Sequence, residues 1–128
     1  MKLLPDTHIL LWFATDAKEL PREARRLLES DDHELFFSVA SIWEVATKFA
    51  LQRKDFTIDP EPLRLGLLQH GFQELDVQSK HAMALRTMPH VHRDPFDRML
   101  VAQCLVEGLT LLTADRTLSK YAAPVRLV

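Results

Sequence analysis

At 128 residues, 47% hydrophobic and 27% charged, the chain has the size and balance of one globular domain over residues 1–128, with no sign of disorder. A formal net charge of −2 excludes a global positive field of the kind that holds a protein on nucleic acid, so any such attraction must be local. The single cysteine, Cys104, excludes an internal disulfide and argues against a thiolate zinc site.

In chain order, 2-KLLP-5 reads as a short strand stopped by Pro5, and Asp6-Thr7 can start a helix over 8-HILLWFA-14. Pro21 opens 21-PREARRLLES-30, with Ala24, Leu27 and Leu28 on one face. Residues 34-ELFFSV-39 read as strand, and Ser41 starts a long helix, 41-SIWEVATKFALQRK-54. Helix 62-PLRLGLLQH-70 closes at Gly71, strand 72-FQELDV-77 follows, and a helix spans 79-SKHAMALRTM-88. After the loop 89-PHVHR-93 comes a helix begun by Pro95 and ended by Gly108. Then 109-LTLLT-113 is a strand, Asp115 begins a short helix, and 125-VRLV-128 is a last strand. Strands alternating with helices at this spacing predict an α/β fold with a mainly parallel sheet.

No apolar run approaches the roughly 18 residues of a bilayer span. The opening MKLLPDTHILLWF has Asp6 inside its apolar stretch and no small-residue cleavage site. A cytoplasmic address, away from the membrane, is therefore expected.

In such a sheet, ligands bind outside the carboxyl ends of the strands. Four acids fall at these junctions: Asp6 after the first strand, Glu44 in the first turn of the helix after the second, Asp97 one turn into the helix begun by Pro95, and Asp115 after 109-LTLLT-113. Each also has a structural explanation, because acids suit the first helical turn. Ser41 to Glu44 reads as an S-x-x-E capping box, and Asp94 before Pro95 is an ordinary N-cap. Jointly, however, the four carboxylates would crowd one edge and oppose each other's ionisation unless a cation lay between them. An oxygen-rich set without Cys or clustered His suits Mg²⁺ or Mn²⁺, and such a centre can activate water for attack on a phosphodiester.

The pieces 4-LPDTHILLW-12, 41-SIWEVATK-48, 92-HRDPFDRMLVAQ-103 and 111-LLTAD-115 resemble the four acidic motifs of PIN-domain ribonucleases, most closely the VapC-type toxins of bacterial type II toxin–antitoxin pairs. The H-R-D-P-F-D-R stretch is the most specific, and the motifs run in family order from residue 4 to 115. The resemblance implies a flavodoxin-like three-layer α/β/α sandwich, and a metal centre of Asp6, Glu44, Asp97 and Asp115 that directs water at RNA. It also implies a homodimer, held inactive by a VapB-like antitoxin. Asp6 and Asp97 are the first choices for direct metal contact, and Asp94 is assigned to the helix cap. Pro5 departs from the family pattern, and its missing N–H is expected to shorten the first strand. The rival class is a receiver-like Mg²⁺-binding signalling module, which has the same sheet and acids. Receivers need paired acids after the first strand and a Lys near the last, and neither is found here. A third reading is a non-catalytic PIN-like scaffold.

Among lesser candidates, Thr7, Ser38, Ser41 and Thr113 neighbour the acids and are read as capping groups or as orienting ligands. Lys48 lies four residues after Glu44 and is read as its ion-pair partner. Arg93, Arg98 and Arg116 are read equally as phosphate contacts or as members of solvated salt bridges. His90 and His92 lack an evident third ligand for zinc. Trp12, Trp43 and Phe96 are read as core aromatics rather than base-stacking surfaces. Helices 8-HILLWFA-14 and 42-IWEVATKFAL-51 carry more apolar surface than this domain can bury, which predicts a partner surface.

Overall fold

In a computed structural model describing residues 1–128, the chain forms five strands: β1 (Lys2–Pro5), β2 (Glu34–Ser38), β3 (Gln73–Leu75), β4 (Thr110–Thr113) and β5 (Val125–Leu127). They lie in the order β3-β2-β1-β4-β5, and every pairing is parallel. Six helices connect them: α1 (Thr7–Ala14), α2 (Arg22–Glu29), α3 (Val39–Ala50), α4 (Pro60–His70), α5 (Ser79–Ala84) and α6 (Pro95–Glu107). Short 3-10 turns cover Leu85–Thr87 and Arg116–Lys120. The result is a three-layer α/β/α sandwich with a parallel central sheet.

Alternation along the strands builds the two cores. Leu3 and Leu112 face a cluster with Ile9 and Leu10 of α1, Leu27 and Leu28 of α2, and Leu63 and Leu67 of α4. Their neighbours Leu4 and Leu111 point to the other face, onto Leu100, Val101 and Cys104 of α6. A fully buried leucine of this kind typically loses about 2–5 kcal/mol on truncation to alanine, so both layers are well anchored.

The sheet order reverses between β1 and β4, and the crevice beyond their carboxyl ends is the place such folds keep for ligands. Pro5 helps to open it. The Asp6 N–H donates to the Leu112 carbonyl at 2.9 Å, toward β4. Successive amides alternate sides, so the donor that Pro5 lacks would face β2, and pairing with β2 stops at Leu3. The strand itself still runs to Pro5, so the proline removes one ladder partner without shortening β1.

Several expected boundaries shift. Helix α3 starts at Val39, not Ser41, because the Ser38 hydroxyl accepts the Ala40 N–H and acts as N-cap. The Ser41–Glu44 capping box therefore does not form, and Glu44 sits in the second turn rather than the first. Asp59 caps α4 and brings its start forward to Pro60. The helix expected over 79–88 ends at Ala84 and tightens into a 3-10 turn. Gly108, at φ 69°, ends α6 in the left-handed conformation that glycine adopts without steric cost. No helix is long and apolar enough to cross a membrane.

The apolar surplus expected on two helices is confined to one. Helix α1 buries Ile9, Leu10 and Leu11, whereas α3 leaves Trp43 and Phe49 in solvent. Trp43 is 62% exposed, so it is not a core aromatic. Trp12 and Phe96 are half-buried.

Candidate metal centre at the strand ends

Four elements deliver the four acids to the β1–β4 crevice. Asp6 follows β1 and caps α1, with Oδ1 accepting the Ile9 N–H at 2.9 Å and Oδ2 accepting the Thr113 hydroxyl. Thr113, the last residue of β4, also accepts the Asp115 N–H at 3.0 Å on the same hydroxyl. One buried side chain thus ties two of the acids together.

Asp94 takes the capping task, as expected. Asp94 is the N-cap of α6, with Oδ1 taking the Phe96 and Asp97 amides at 2.8 and 3.3 Å. Asp97 is buried, and neither of its carboxylate oxygens receives a protein hydrogen bond of normal length. Glu44 is buried on α3. Its Oε2 accepts Lys48 Nζ at 2.8 Å, as the four-residue spacing predicts, while its Oε1 is buried with no partner at all. Asp115 is the outermost acid, with a side chain 41% exposed. Its Oδ1 caps the following 3-10 turn through the Thr117 N–H at 2.9 Å.

The sequence left out the role of His92. Its Nε2 lies 3.0 Å from Asp115 Oδ2 and 3.5 Å from Asp97 Oδ2. One atom of each of these three side chains lies within 4.8 Å of the others, so the group could hold a metal ion. His90 is not part of this group, so the H-x-H pair gains no third ligand. His92 Nδ1 accepts the Asp94 N–H at 3.0 Å, which requires a lone pair on Nδ1 and leaves the ring hydrogen on Nε2. In this pose the ring donates to Asp115 and cannot ligate through the same atom. The only available signal was the H-R-D spacing, which puts the ring back over the cap of its own helix.

Of the remaining candidates, Thr7 donates to Ser41 at 3.0 Å, and Ser38 donates to Gln103 at 2.6 Å; both pairs are buried. Arg98 Nη1 is held by the Pro89 carbonyl and the Tyr121 hydroxyl at 2.9 and 3.0 Å. Arg93, Arg98 and Arg116 take part in no ion pair, so the salt-bridge reading of these arginines does not hold.

The electrostatics show a site short of positive charge. Burial raises the pKa of Asp6, only partly offset by the Ile9 amide and Thr113. Asp97 is pushed up to about 7, first by burial and then by the charges of Asp94 and Asp6, with Glu44 adding to them. For Asp115, partial burial is the largest influence and acts upward. The Thr117 amide and His92 outweigh it, and its pKa is lowered. Cys104 is buried and its thiol is pushed up to about 12, so it is no thiolate ligand. An orphaned buried oxygen on Glu44 beside carboxylates that resist ionisation fits a hard divalent cation, for which an all-oxygen donor set is suited.

A parallel α/β/α sandwich with carboxylates gathered at the switch point between β1 and β4 defines an acid-centred, flavodoxin-like class. Within it, the chain belongs to the PIN domain family, whose model matches residues 3–124. Solved structures agree on the fold. VapBC2 of Rickettsia felis, bound to a DNA fragment from its promoter, has a TM-score of 0.74 at 13% identity, covering 100% of this chain and 99% of that one. A toxin–antitoxin complex from Klebsiella pneumoniae has a TM-score of 0.66 at 18% identity, covering 97% and 95%. DNA-bound VapBC from Salmonella typhimurium has a TM-score of 0.64 at 16% identity, covering 100% and 97%. A search of curated proteins finds no match.

Proposed function

We propose that this chain is a metal-dependent endoribonuclease, the toxin of a type II toxin–antitoxin pair. One observation carries the reading: buried acids from separate elements converge on one crevice with a carboxylate oxygen left unpartnered and no cation sufficient to balance them. Asp6 and Asp97 would hold Mg²⁺ or Mn²⁺ directly, with Glu44 and Asp115 completing the pocket through water or a second ion. When bound, such an ion lowers the pKa of water and stabilises the leaving oxygen of a phosphodiester.

The chain's own residues organise the rest. Thr113 fixes one oxygen of Asp6, and His92 fixes one oxygen of the exposed Asp115. Lys48 neutralises one oxygen of Glu44 and leaves the other free. RNA as substrate, a VapB-like antitoxin, a homodimer and a cytoplasmic location complete the proposal. The toxin–antitoxin complexes with this fold and the exposed apolar groups of α3 support it.

The test is cleavage of total RNA by the purified protein with Mn²⁺, abolished by EDTA. Asp6→Ala and Asp97→Ala are expected to keep a native circular dichroism spectrum and to lose roughly 10²–10³-fold in rate, the usual size for removing one transition-state stabiliser. Full cleavage by Asp97→Ala, free of contaminating nuclease, would sink the assignment. Co-expression with a small DNA-binding protein encoded beside it is expected to yield a stable, inactive complex.

A further inference from the structure

We propose that Trp43 and Phe96 form a stacking step for an unpaired nucleobase beside the scissile phosphate, and that the strand leaves the acids through a cationic cleft on the other side of α6. The inference rests on the ribonuclease reading and adds how a single strand is held.

Two observations carry it. Trp43 immediately precedes Glu44, Phe96 immediately precedes Asp97, and their rings meet edge-to-face with centroids 4.9 Å apart and planes at 82°. That contact engages only part of each ring, and with Trp43 62% exposed the indole keeps an open π surface one helical position from Glu44. The second is a cleft of about 620 Å³ lined by Leu85, His90, His92, Arg93, Pro95 and Arg98. Its lining contains no carboxylate, and neither arginine has an ion-pair partner elsewhere. Arg98 is held in place by the Pro89 carbonyl and the Tyr121 hydroxyl through Nη1 alone. Helical geometry turns Phe96 about 100° from Pro95, so the aromatic step and the cleft occupy different faces of one helical turn. His92 joins the cleft to Asp115.

Charge complementarity selects the occupant. Clustered carboxylates repel a phosphate backbone, so a bound strand needs cations next to the centre, and this cleft supplies them without competing acids. Base–aromatic stacking requires a free base face, which a duplex does not offer. Single-stranded RNA fits both halves of the surface.

The protein is titrated in EDTA with a mixed-sequence single-stranded RNA of about a dozen nucleotides, within the site sizes of such surfaces. Indole fluorescence is expected to be quenched. The quench should survive Trp12→Phe and vanish in Trp43→Ala, with affinity roughly tenfold weaker in Trp43→Ala. Arg93→Ala and Arg98→Ala should each reduce the slope of log affinity against log salt by about one. A blunt RNA duplex should give no quench. Equal RNA affinity in Trp43→Ala overturns the proposal. So does a fall in molar mass by light scattering in that variant with RNA binding unchanged, which would assign Trp43 to contact with a second copy. Cleavage by Trp43→Ala at unchanged RNA affinity overturns the proposal and leaves the hydrolase standing, whereas quenched RNA binding by a protein that never cleaves supports the proposal and sinks only the hydrolase.

Discussion

At the C-terminal end of α6, His81 accepts the Gln78 N–H on Nδ1 at 2.9 Å and meets Glu107 through Nε2 at 2.9 Å. At the N-terminal end, His92 accepts the Asp94 N–H on Nδ1 at 3.0 Å and meets Asp115 through Nε2 at 3.0 Å. The local chemistry is the same: a backbone amide fixes the tautomer and the far nitrogen donates to a carboxylate. The surroundings differ. Glu107 also receives Lys80 at 3.1 Å, and its pKa is lowered, first by His81 and then by Lys80. Around His92, Asp97 receives no hydrogen bond of normal length, and burial first, then the charges of Asp94, Asp6 and Glu44, push it up to about 7. A histidine–carboxylate pair is therefore structural where charge is balanced. Where the same pair sits among acids that lack a cation, the charge is left unbalanced, as a candidate cation site requires.

The contrast predicts that removing an acid should stabilise one end of α6. In the native state Asp97 holds its proton up to about pH 7, whereas the unfolded chain releases it near 3.8. Between those values the folded form binds more protons, so stability falls as pH rises, the reverse of a salt-bridged aspartate. Without divalent ions, Asp97→Asn should match the native protein in urea unfolding at pH 4 and exceed it at pH 8. The gap is on the order of 2–4 kcal/mol, from about three units at 1.36 kcal/mol each. Equal stability at both pH values would show that the acids are already compensated. Added Mn²⁺ should close the gap by stabilising the native protein alone.

At the balanced end the sign reverses. His81 is fully buried with both nitrogens satisfied, so His81→Ala leaves a cavity and strands the Gln78 amide. About 2–3 kcal/mol of stability should be lost, with Mn²⁺ affinity measured by calorimetry unchanged. A matching loss of metal affinity would mean that the two ends of the helix are coupled.

The same contrast explains what the sequence made legible. Strand alternation and the stops at Gly71 and Gly108 are local signals, and they placed every sheet element and the parallel α/β class. Asp94 and Asp97 could be separated because Pro95 fixes where the helix begins. The register of α3 was lost by three residues, since Ser38 and Ser41 are equally good caps and only the end of β2 decides between them. Trp43 was misread, and the contacts of His92 were missed, for a different reason. Whether a histidine meets two acids, or an indole faces solvent, depends on how separate elements pack, and spacing along one element carries no record of that.

The smallest effect expected is also the one that separates a donor from a ligand. If His92 serves the centre by holding Asp115 beside Asp97, His92→Ala should weaken Mn²⁺ binding about tenfold, the lower end of what groups orienting metal ligands contribute. His92→Gln, whose amide can still donate, should recover much of that loss. Global stability should fall in His92→Ala too, because the loss strands the Asp94 amide, so metal affinity is compared at a temperature where both proteins are folded. Electron spin-echo modulation of the Mn²⁺-loaded native protein should then show no directly bound nitrogen. A strong ¹⁴N coupling that disappears in His92→Ala would mean that the ring surrenders the Asp94 amide and turns its lone pair to the metal. The hydrogen bond that holds it in this structure would then be the one that metal binding breaks.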